Sequence, residues 1–400
     1  MSHVIKPRLE IKVISRYRQL CDVYYGPSVI SKAGELAKAT GAKKALVVTD
    51  STVDSTGHPD RVIKYLEDAG ISCKKFADIE MDAPDYVVNK GAKNAYDFAA
   101  DIVVAVGGGS CLDAAKAITL VAANLPDCRI QDFFDKTPDS IIVKNPPLKN
   151  IMIPTTSGTG SESTFVAVVT DTAKHRKCGC FISPQIAIVD PELTLGLSAE
   201  ITAYTAMDAF SHSTEAIASK GMNPHSDLLA LNAIERIIKW APVAISEPDN
   251  LIARENLALA SNFAGKAFND ATVNIGHAMA HSLGACYHVP HGIACALVTP
   301  AVIEKTAFSR PDEFRKIASY FGIDSSRVSD IEIGKVVADA VRQFCHRIRI
   351  PTLKQLGFTL EQIISCTEYV KTEGMRFACL ANIPDDDIVG MFERTYNEYQ

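Results

Sequence analysis

The sequence predicts an α/β domain followed by an all-helical domain. In the first half, short apolar runs rich in β-branched residues alternate with amphipathic stretches, which is typical of a parallel sheet covered by helices. From about Ser198 onward, apolar residues recur every three or four positions, as in helices. We place the boundary near Gly196 and expect domains at residues 1–196 and 197–400.

The elements follow from local patterns. A helix is expected near 60–69, and a second begins at Asn223 and Pro224, where Leu228, Leu231, Ile234 and Ile238 follow at helical spacing. The predicted strands are the apolar runs at 45–49, 102–106, 151–154 and 187–190. Pro191 ends the last of these, and no strand is expected after it.

The composition favours small-molecule chemistry. A net charge of −6 without long runs of like charge does not favour binding to nucleic acid or to an anionic membrane. The eleven cysteines form no repeated CxxC pattern, which is typical of reduced thiols. Residues 1–12 lack the apolar run of a secretory signal, and no apolar stretch approaches the roughly 20 residues of a membrane span. We therefore expect a cytoplasmic protein.

A glycine-rich turn follows the strand at 101–106. Gly107, Gly108, Gly109 and Ser110 lead directly into a helical pattern. Glycines let the backbone approach an anion closely, and the N–H groups at a helix start attract phosphate. The turn therefore predicts a pyrophosphate site, with a tight turn that holds no ligand as the alternative.

A second polar loop, 154–162, offers five hydroxyl groups and two glycines after another strand. These hydroxyls can ring a polar ligand or cap the next helix. Asp50 ends the strand at 44–49, where its carboxylate can accept hydrogen bonds from a ribose and repel a 2′-phosphate, which favours NAD over NADP. The alternative for Asp50 is a turn residue.

Histidines cluster near the middle of the helical half. Four of the ten histidines fall between 277 and 291. His277 and His281 are four residues apart and share a helix face, whereas His291 lies between Pro290 and Gly292, in an expected turn. His288 is expected to take no part in the site.

A second pair lies seventy residues upstream, where Asp208 and His212 are also four apart. One carboxylate and three imidazoles suit a divalent first-row metal but select neither Fe(II) nor Zn(II). For each residue alone, a structural role in the core is the alternative.

Five segments in order make the chain resemble the iron-containing (type III) alcohol dehydrogenases along essentially its whole length. They are GGGSCLDAAK at 107–116, PTTSGTGSE at 154–162, AIVDPELT at 187–194, MDAFSH at 207–212 and GHAMAHSLGACYHVPHG at 276–292. The resemblance implies a Rossmann-like domain, a helical domain with the dehydroquinate synthase-like architecture, and an active site between them. It also implies a homodimer or larger homo-oligomer.

The resemblance also implies roles for individual residues. It implies that Asp208, His212, His277 and His291 hold a catalytic metal, commonly Fe(II), with Zn(II) as the alternative. His281 would lie near the nicotinamide as a group for proton transfer. The implied NAD(H) contacts are Asp50, Gly108, Gly109, Ser110, Thr155, Thr156 and Thr159.

The expected function is a metal-dependent NAD(H) alcohol dehydrogenase or aldehyde reductase. Polar residues before His277 favour a functionalised substrate such as lactaldehyde, 3-hydroxypropanal, succinic semialdehyde or sulfoacetaldehyde; they are Asn269, Asp270, Thr272 and Asn274. The alternatives are a hydroxyacid-oxoacid transhydrogenase that retains NAD, a lyase resembling dehydroquinate synthase, and a nucleotide-binding sensor or structural protein. The complete metal set disfavours the last of these.

Overall fold

A parallel sheet of six strands forms the first half of the chain. The computed structural model describes residues 17–19, 21–134, 136 and 143–399, so the segment 1–12 lies outside the described residues. The strands run in the order β1-β8-β5-β4-β2-β3, and β6 and β7 form a separate antiparallel pair. Their bounds are β1 (Asp22–Tyr25), β2 (Lys44–Asp50), β3 (Ser72–Ile79), β4 (Ile102–Gly107), β5 (Lys149–Pro154), β6 (Val166–Asp171), β7 (Arg176–Phe181) and β8 (Ile186–Val189).

Five helices belong to the sheet half and ten, within the described residues, to the second half. The first five are α1 (Ala33–Ala39), α2 (Ser51–Asp54), α3 (His58–Asp68), α4 (Asp85–Phe98) and α5 (Gly109–Asn124). The others are α6 (Ala199–Ile217), α7 (Pro224–Ser246), α8 (Leu251–Ala271), α9 (Ile275–Tyr287), α10 (His291–Thr306), α11 (Pro311–Tyr320), α12 (Ile333–Arg347), α13 (Leu360–Ser365), α14 (Thr367–Thr372) and α15 (Asp385–Asn397).

The predicted fold class is confirmed, and the four predicted strands lie in β2, β4, β5 and β8. Strands β1 and β3 and the β6–β7 pair are additional. The last strand ends at Val189 and α6 begins at Ala199, so the boundary between 196 and 197 falls in the connection and stays a prediction.

The strand order places a binding crevice between β2 and β4. From β2 the chain continues to β3 on one side, whereas from β4 it continues to β5 on the other. In open parallel sheets, ligands bind beyond the carboxyl ends of the strands at such a reversal. The two ends are Asp50 and Gly107, so the topology itself brings the predicted acidic residue and the glycine turn together.

Helix α10 crosses the core of the helical half. It packs against α6, α9, α12 and α15. Among the described residues, one helical stretch, 291–309, has the length and apolar composition of a membrane span, and 72% of its most apolar window is buried inside the protein. This burial is typical of a core helix.

All eleven cysteines lie within the described residues, and each is a free thiol. Most are buried, with Cys286 exposed. The expectation of reduced thiols stays a prediction.

The two halves meet where two glycines touch. Gly160, in the loop after β5, has φ +62, and a Cβ on it would lie 2.6 Å from the Cα of Gly265 in α8. A Cβ on Gly265 would lie 2.7 Å from the carbonyl oxygen of Gly160. Because both contacts are with backbone atoms, no side-chain rotation could make room for an added Cβ.

We expect Gly265→Ala to destabilise the protein by about 1–3 kcal/mol, because the added methyl group pushes the loop off α8. The matched control is Gly390→Ala in α15, where nothing lies within 4 Å of the new Cβ. That change should be neutral or stabilise by up to about 1 kcal/mol through helix propensity. Urea unfolding of both variants measures the difference, and equal stability of Gly265→Ala and the wild type would contradict the contact.

Candidate metal and dinucleotide site

Helix α6 carries two of the predicted metal ligands. The Ser198 hydroxyl accepts a hydrogen bond from the N–H of Ile201 and caps the helix start. Asp208 and His212 follow one turn apart on the same face, and both are buried. The helix therefore directs a carboxylate and an imidazole into the core of the helical half.

The remaining histidines come from α9 and α10. His277 and His281 lie on α9, as predicted. That helix ends at Tyr287, the following His288 has a left-handed φ of 55, and Pro290 occupies the N-cap position of the next helix. The turn expected at His291 is wrong, because this residue is the first of α10. Proline fixes the backbone just before a helix start, so the turn ends at Pro290 and the helix begins at His291.

The carboxylate of Asp208 stands at the centre of three imidazoles. Its Oδ1 lies 3.4 Å from Nε2 of His291 and 3.8 Å from Nε2 of His277. Nε2 of His212 is also 3.8 Å away. Oδ1 is buried and has no hydrogen-bond partner. A buried carboxylate oxygen with no partner is costly unless a cation compensates it.

These separations fit a bound metal ion. Bonds of about 2.1 Å that meet at a tetrahedral angle place two ligand atoms about 3.4 Å apart. The observed oxygen-to-nitrogen distances of 3.4 and 3.8 Å are of this size. The structure thus places three predicted imidazoles within 3.4 to 3.8 Å of this oxygen. His212 contacts Asp208 but is not in the group whose ligand atoms all lie within 4.8 Å of one another.

A residue that the sequence reasoning missed joins this group. One ligand atom from each of Asp208, His277, His291 and Cys295 lies within 4.8 Å of the other three. Cys295 follows His291 by one helical turn and shares its face of α10. The spacing could have been noticed in the sequence only if the helix had been expected to begin at His291.

Glu215 was also missed, and it orients His277. Its Oε1 lies 2.6 Å from Nδ1 of His277, and its Oε2 accepts the N–H groups of Asn274 and His277. The contact at Nδ1 turns Nε2 toward Asp208. Metal-binding histidines are commonly held by a carboxylate in this way. The signal was present, because Glu215 lies seven residues after Asp208, on the same face of α6.

The electrostatics favour the metal-binding forms of the α6 residues. Burial by itself would raise the pKa of Asp208, but the charge of His291 and the contacts with His291 and His277 hold that pKa well below its ordinary value. The carboxylate is therefore ionised. Burial lowers the pKa of His212 to about 3, so this imidazole is neutral. An ionised carboxylate and a neutral imidazole are the forms that bind metals.

His291, unlike His212, is protonated near neutral pH when no metal ion is bound. Partial burial opposes its protonation, but Cys295 and Asp208 raise its pKa to about 9. A metal ion therefore has to displace a proton from this ring, and its binding strengthens as the pH rises. The side chain is 32% exposed, which leaves the site open to solvent on this side.

His281 lies beside the metal group. Its ring centroid is 6.0 Å from that of His277 and 5.4 Å from that of His291. Burial, with the positive charges of His291 and Lys177 nearby, holds the pKa of His281 well below its ordinary value. It is a neutral base next to the site.

The two polar turns of the sheet half pack against each other. A Cβ on Gly109 would lie 2.6 Å from Cγ2 of Thr159, and one on Gly108 would lie 3.6 Å from Oγ1 of Thr156. The N–H of Thr155 donates to the carbonyl of Gly107, and its side chain is buried. The glycines thus make room for the threonines, and both turns line one edge of the sheet.

Lys116 and Asp113, in the helix after the glycine turn, hold the threonine-rich loop against that turn. Lys116 is fully buried, and its Nζ lies 3.0 Å from Asp113 Oδ1 and donates to the carbonyl of Ser161. The Ser161 hydroxyl donates to Asp113. Both motif residues therefore position the loop.

Asp50 has one oxygen occupied and one directed at the crevice. Its Oδ1 accepts the N–H groups of Thr52 and Val53, both at 2.9 Å, and so caps α2. A Cβ on Gly107 would lie 3.6 Å from its Oδ2. At the start of α5, Ser110 Oγ accepts the N–H of Asp82 at 3.0 Å.

Comparison with known proteins decides the family. The family described as "Iron-containing alcohol dehydrogenase" matches residues 21–191, and "Fe-containing alcohol dehydrogenase family, C-terminal" matches residues 202–396. The chain belongs to the iron-containing alcohol dehydrogenases. Members of this family are oxidoreductases, and the predicted family and enzyme class are confirmed.

Three relatives illustrate the range of this alcohol dehydrogenase family. "NAD-dependent methanol dehydrogenase" of Bacillus methanolicus is 35% identical over 342 residues, which cover 84% of this chain and 88% of the relative. "1,3-propanediol dehydrogenase" of Citrobacter freundii is 34% identical and covers 93% of this chain and 96% of its own length. The solved structure of sulfoacetaldehyde reductase from Bifidobacterium kashiwanohense, in complex with NAD+, has a TM-score of 0.85 at 30% identity and covers 96% and 99%.

We expect Glu215→Gln to weaken metal binding about 10- to 100-fold, because an amide NH₂ would oppose the N–H groups of Asn274 and His277 and release the His277 ring. The matched control is Glu200→Gln, an exposed carboxylate in the first turn of the same helix. A Zn(II) titration in competition with a chelator measures both. Unchanged affinity in folded Glu215→Gln would rule out the orienting role.

Proposed function

We propose that this protein is a metal-dependent NAD(H) alcohol dehydrogenase that also works as an aldehyde reductase. The observation that carries this proposal is the buried Oδ1 of Asp208, which has no hydrogen-bond partner and faces three imidazoles. Membership of the family supports it, as do the relatives described as NAD-dependent or complexed with NAD+.

We propose that the metal ligands are Asp208, His212, His277 and His291, and that the ion is Fe(II), with Zn(II) as the alternative. When bound, such an ion acts as a Lewis acid that lowers the pKa of an alcohol and polarises an aldehyde. The chain's part is to present an ionised carboxylate and to hold His277 in one orientation through Glu215. The exposed edge of His291 leaves a path for the substrate.

The dinucleotide is proposed to bind across the β2–β4 crevice. Its contacts would be Asp50, Gly108, Gly109, Ser110, Thr155, Thr156 and Thr159. The start of α5 offers N–H groups to the pyrophosphate, and Oδ2 of Asp50 accepts a ribose hydroxyl and disfavours a 2′-phosphate. NAD supplies the hydride acceptor and NADH the donor.

His281 is proposed to move the proton. In alcohol oxidation the substrate loses a hydride to NAD and a proton from its hydroxyl group. The neutral His281 ring accepts that proton and passes it to solvent or to a ribose hydroxyl, and it returns the proton in aldehyde reduction.

The substrate is proposed to be a short alcohol or aldehyde. The printed names of the relatives include methanol, propanediol and sulfoacetaldehyde activities. Two of the four polar residues before His277 do not strengthen the argument for a functionalised group, since Asn269 accepts the N–H of Phe165, and Asn274 caps α9 and donates to Glu215. We further propose a cytoplasmic homodimer or larger homo-oligomer.

Initial rates of NADH oxidation test the function. We expect protein stripped by a chelator and reloaded with Fe(II) or Zn(II) to reduce at least one short aldehyde from a panel that includes 3-hydroxypropanal, lactaldehyde, succinic semialdehyde and sulfoacetaldehyde. The stripped protein and Asp208→Asn should lose about 100-fold or more, because both lack the Lewis acid. Asp249→Asn, an exposed carboxylate in the helical half, is the control.

Several results of that assay would contradict the proposal. Equal rates with and without metal would show that the reaction does not need the metal. If no aldehyde of the panel is reduced, the protein lacks the proposed activity. Faster rates with NADPH than with NADH would contradict the role of Asp50. Turnover without added NAD would favour the transhydrogenase.

We expect His281→Ala to lower kcat by about 100-fold, because the proton has no relay. The KM for NADH and the metal content should stay at wild-type values, and added imidazole should restore part of the rate. His288→Ala, an exposed histidine at the end of the same helix, is the control. A wild-type kcat in His281→Ala would refute the relay.

A further inference from the structure

Cys295 points into the metal group from one turn along α10. Its side chain is fully buried. Its Sγ lies 3.6 Å from Nε2 of His291 and 3.9 Å from Nε2 of His277. These are the two ring nitrogens that face Asp208. The sulfur therefore shares the space in which the three other ligand atoms meet.

The separations are those of ligands on one ion. A metal–nitrogen bond of about 2.05 Å and a metal–sulfur bond of about 2.3 Å at a tetrahedral angle place nitrogen and sulfur about 3.6 Å apart. The distance from Sγ to His291 equals this value, and that to His277 exceeds it by a few tenths of an ångström.

We propose that Cys295 is a metal ligand in this chain, so that a thiolate binds the ion together with the carboxylate of Asp208 and the imidazoles of His277 and His291, the four residues whose ligand atoms all lie within 4.8 Å of one another. This inference rests on the metal site of the proposed function and adds a sulfur to it. As the sulfur–metal bond forms, the thiol proton leaves to solvent, and no electron is transferred.

The competing explanation is an ordinary buried thiol. Cys111 and Cys345 show that arrangement, since their Sγ atoms donate to the carbonyls of Val48 and Ala296. The Sγ of Cys295 instead contacts two imidazole nitrogens. A thiol there would only donate a weak hydrogen bond to one ring.

A sulfur ligand changes which metal the site prefers. Thiolates are soft ligands that favour Zn(II), whereas a set of oxygen and nitrogen donors also suits Fe(II). We therefore expect the ratio of Zn(II) to Fe(II) affinity to fall about tenfold in Cys295→Ser, because a hard hydroxyl replaces the soft thiolate.

Cobalt substitution tests the ligand directly. Full-length protein loaded with Co(II) should show a near-ultraviolet thiolate-to-cobalt charge-transfer band that is lost in Cys295→Ser. Cys345→Ser removes another buried thiol, in α12, and should keep the band. X-ray absorption of the Zn(II)-loaded wild type should show one sulfur at about 2.3 Å.

The outcomes separate this inference from the proposed function. Cobalt bound without a sulfur band, or a band that persists in Cys295→Ser, overturns the thiolate ligand and leaves the metal site intact. Cobalt bound equally well by Asp208→Asn overturns the metal site itself. If Cys295→Ser does not fold, the X-ray absorption of the wild type still decides, because a shell of only oxygen and nitrogen excludes Cys295.

Discussion

The helical half of this protein is organised around the carboxylate of Asp208. Its Oδ1 lies in a low-dielectric interior without a hydrogen-bond partner, and three imidazole nitrogens stand 3.4 to 3.8 Å away. Charge buried in this way is stable only when it is paired or binds a cation. Helices α6, α9 and α10 each direct a side chain at the same point, so compensation of this charge, by protonated His291 or by a bound cation, links all three.

A second constraint joins this centre to the sheet. The loop after β5 packs its threonines against the glycine turn of β4 and its Gly160 against Gly265 of α8. Lys116 and Asp113 fix the loop from the other side through Ser161. One loop therefore sets the position of the crevice at β2 and β4 relative to the helices that hold the metal ligands. A shift of the loop would change the distance between the two reactants, to which a reaction between them is sensitive.

The sequence periodicity predicted those parts of the site and the fold that depend on residues close together in the chain. Asp208 with His212, and His277 with His281, could be paired from the sequence because residues four apart share a helix face. The four predicted strands were continuous apolar runs. In contrast, β3 carries Lys74 and Lys75 at the edge of the sheet, and β1 has four residues, so neither gave a strong apolar signal.

Contacts that depend on where a helix starts, or on distant segments, were not visible. Cys295 was missed because His291 was placed in a turn, which hid the one-turn spacing along α10. The spacing of Glu215 from Asp208 on α6 was visible, but its contact with His277 was not, because the two residues are 62 positions apart. The Gly160–Gly265 contact joins two segments whose proximity only the folded chain defines. The family resemblance supplied the membership of the metal set, which spacing alone left open.

Anomalous X-ray diffraction from crystals grown with the metal is the most direct measurement of the central claim. Data collected at the absorption edge of the bound ion should show one strong peak within bonding distance of Asp208, His277 and His291. A peak at another place, or none beside Asp208 in protein that contains stoichiometric metal, would contradict the account.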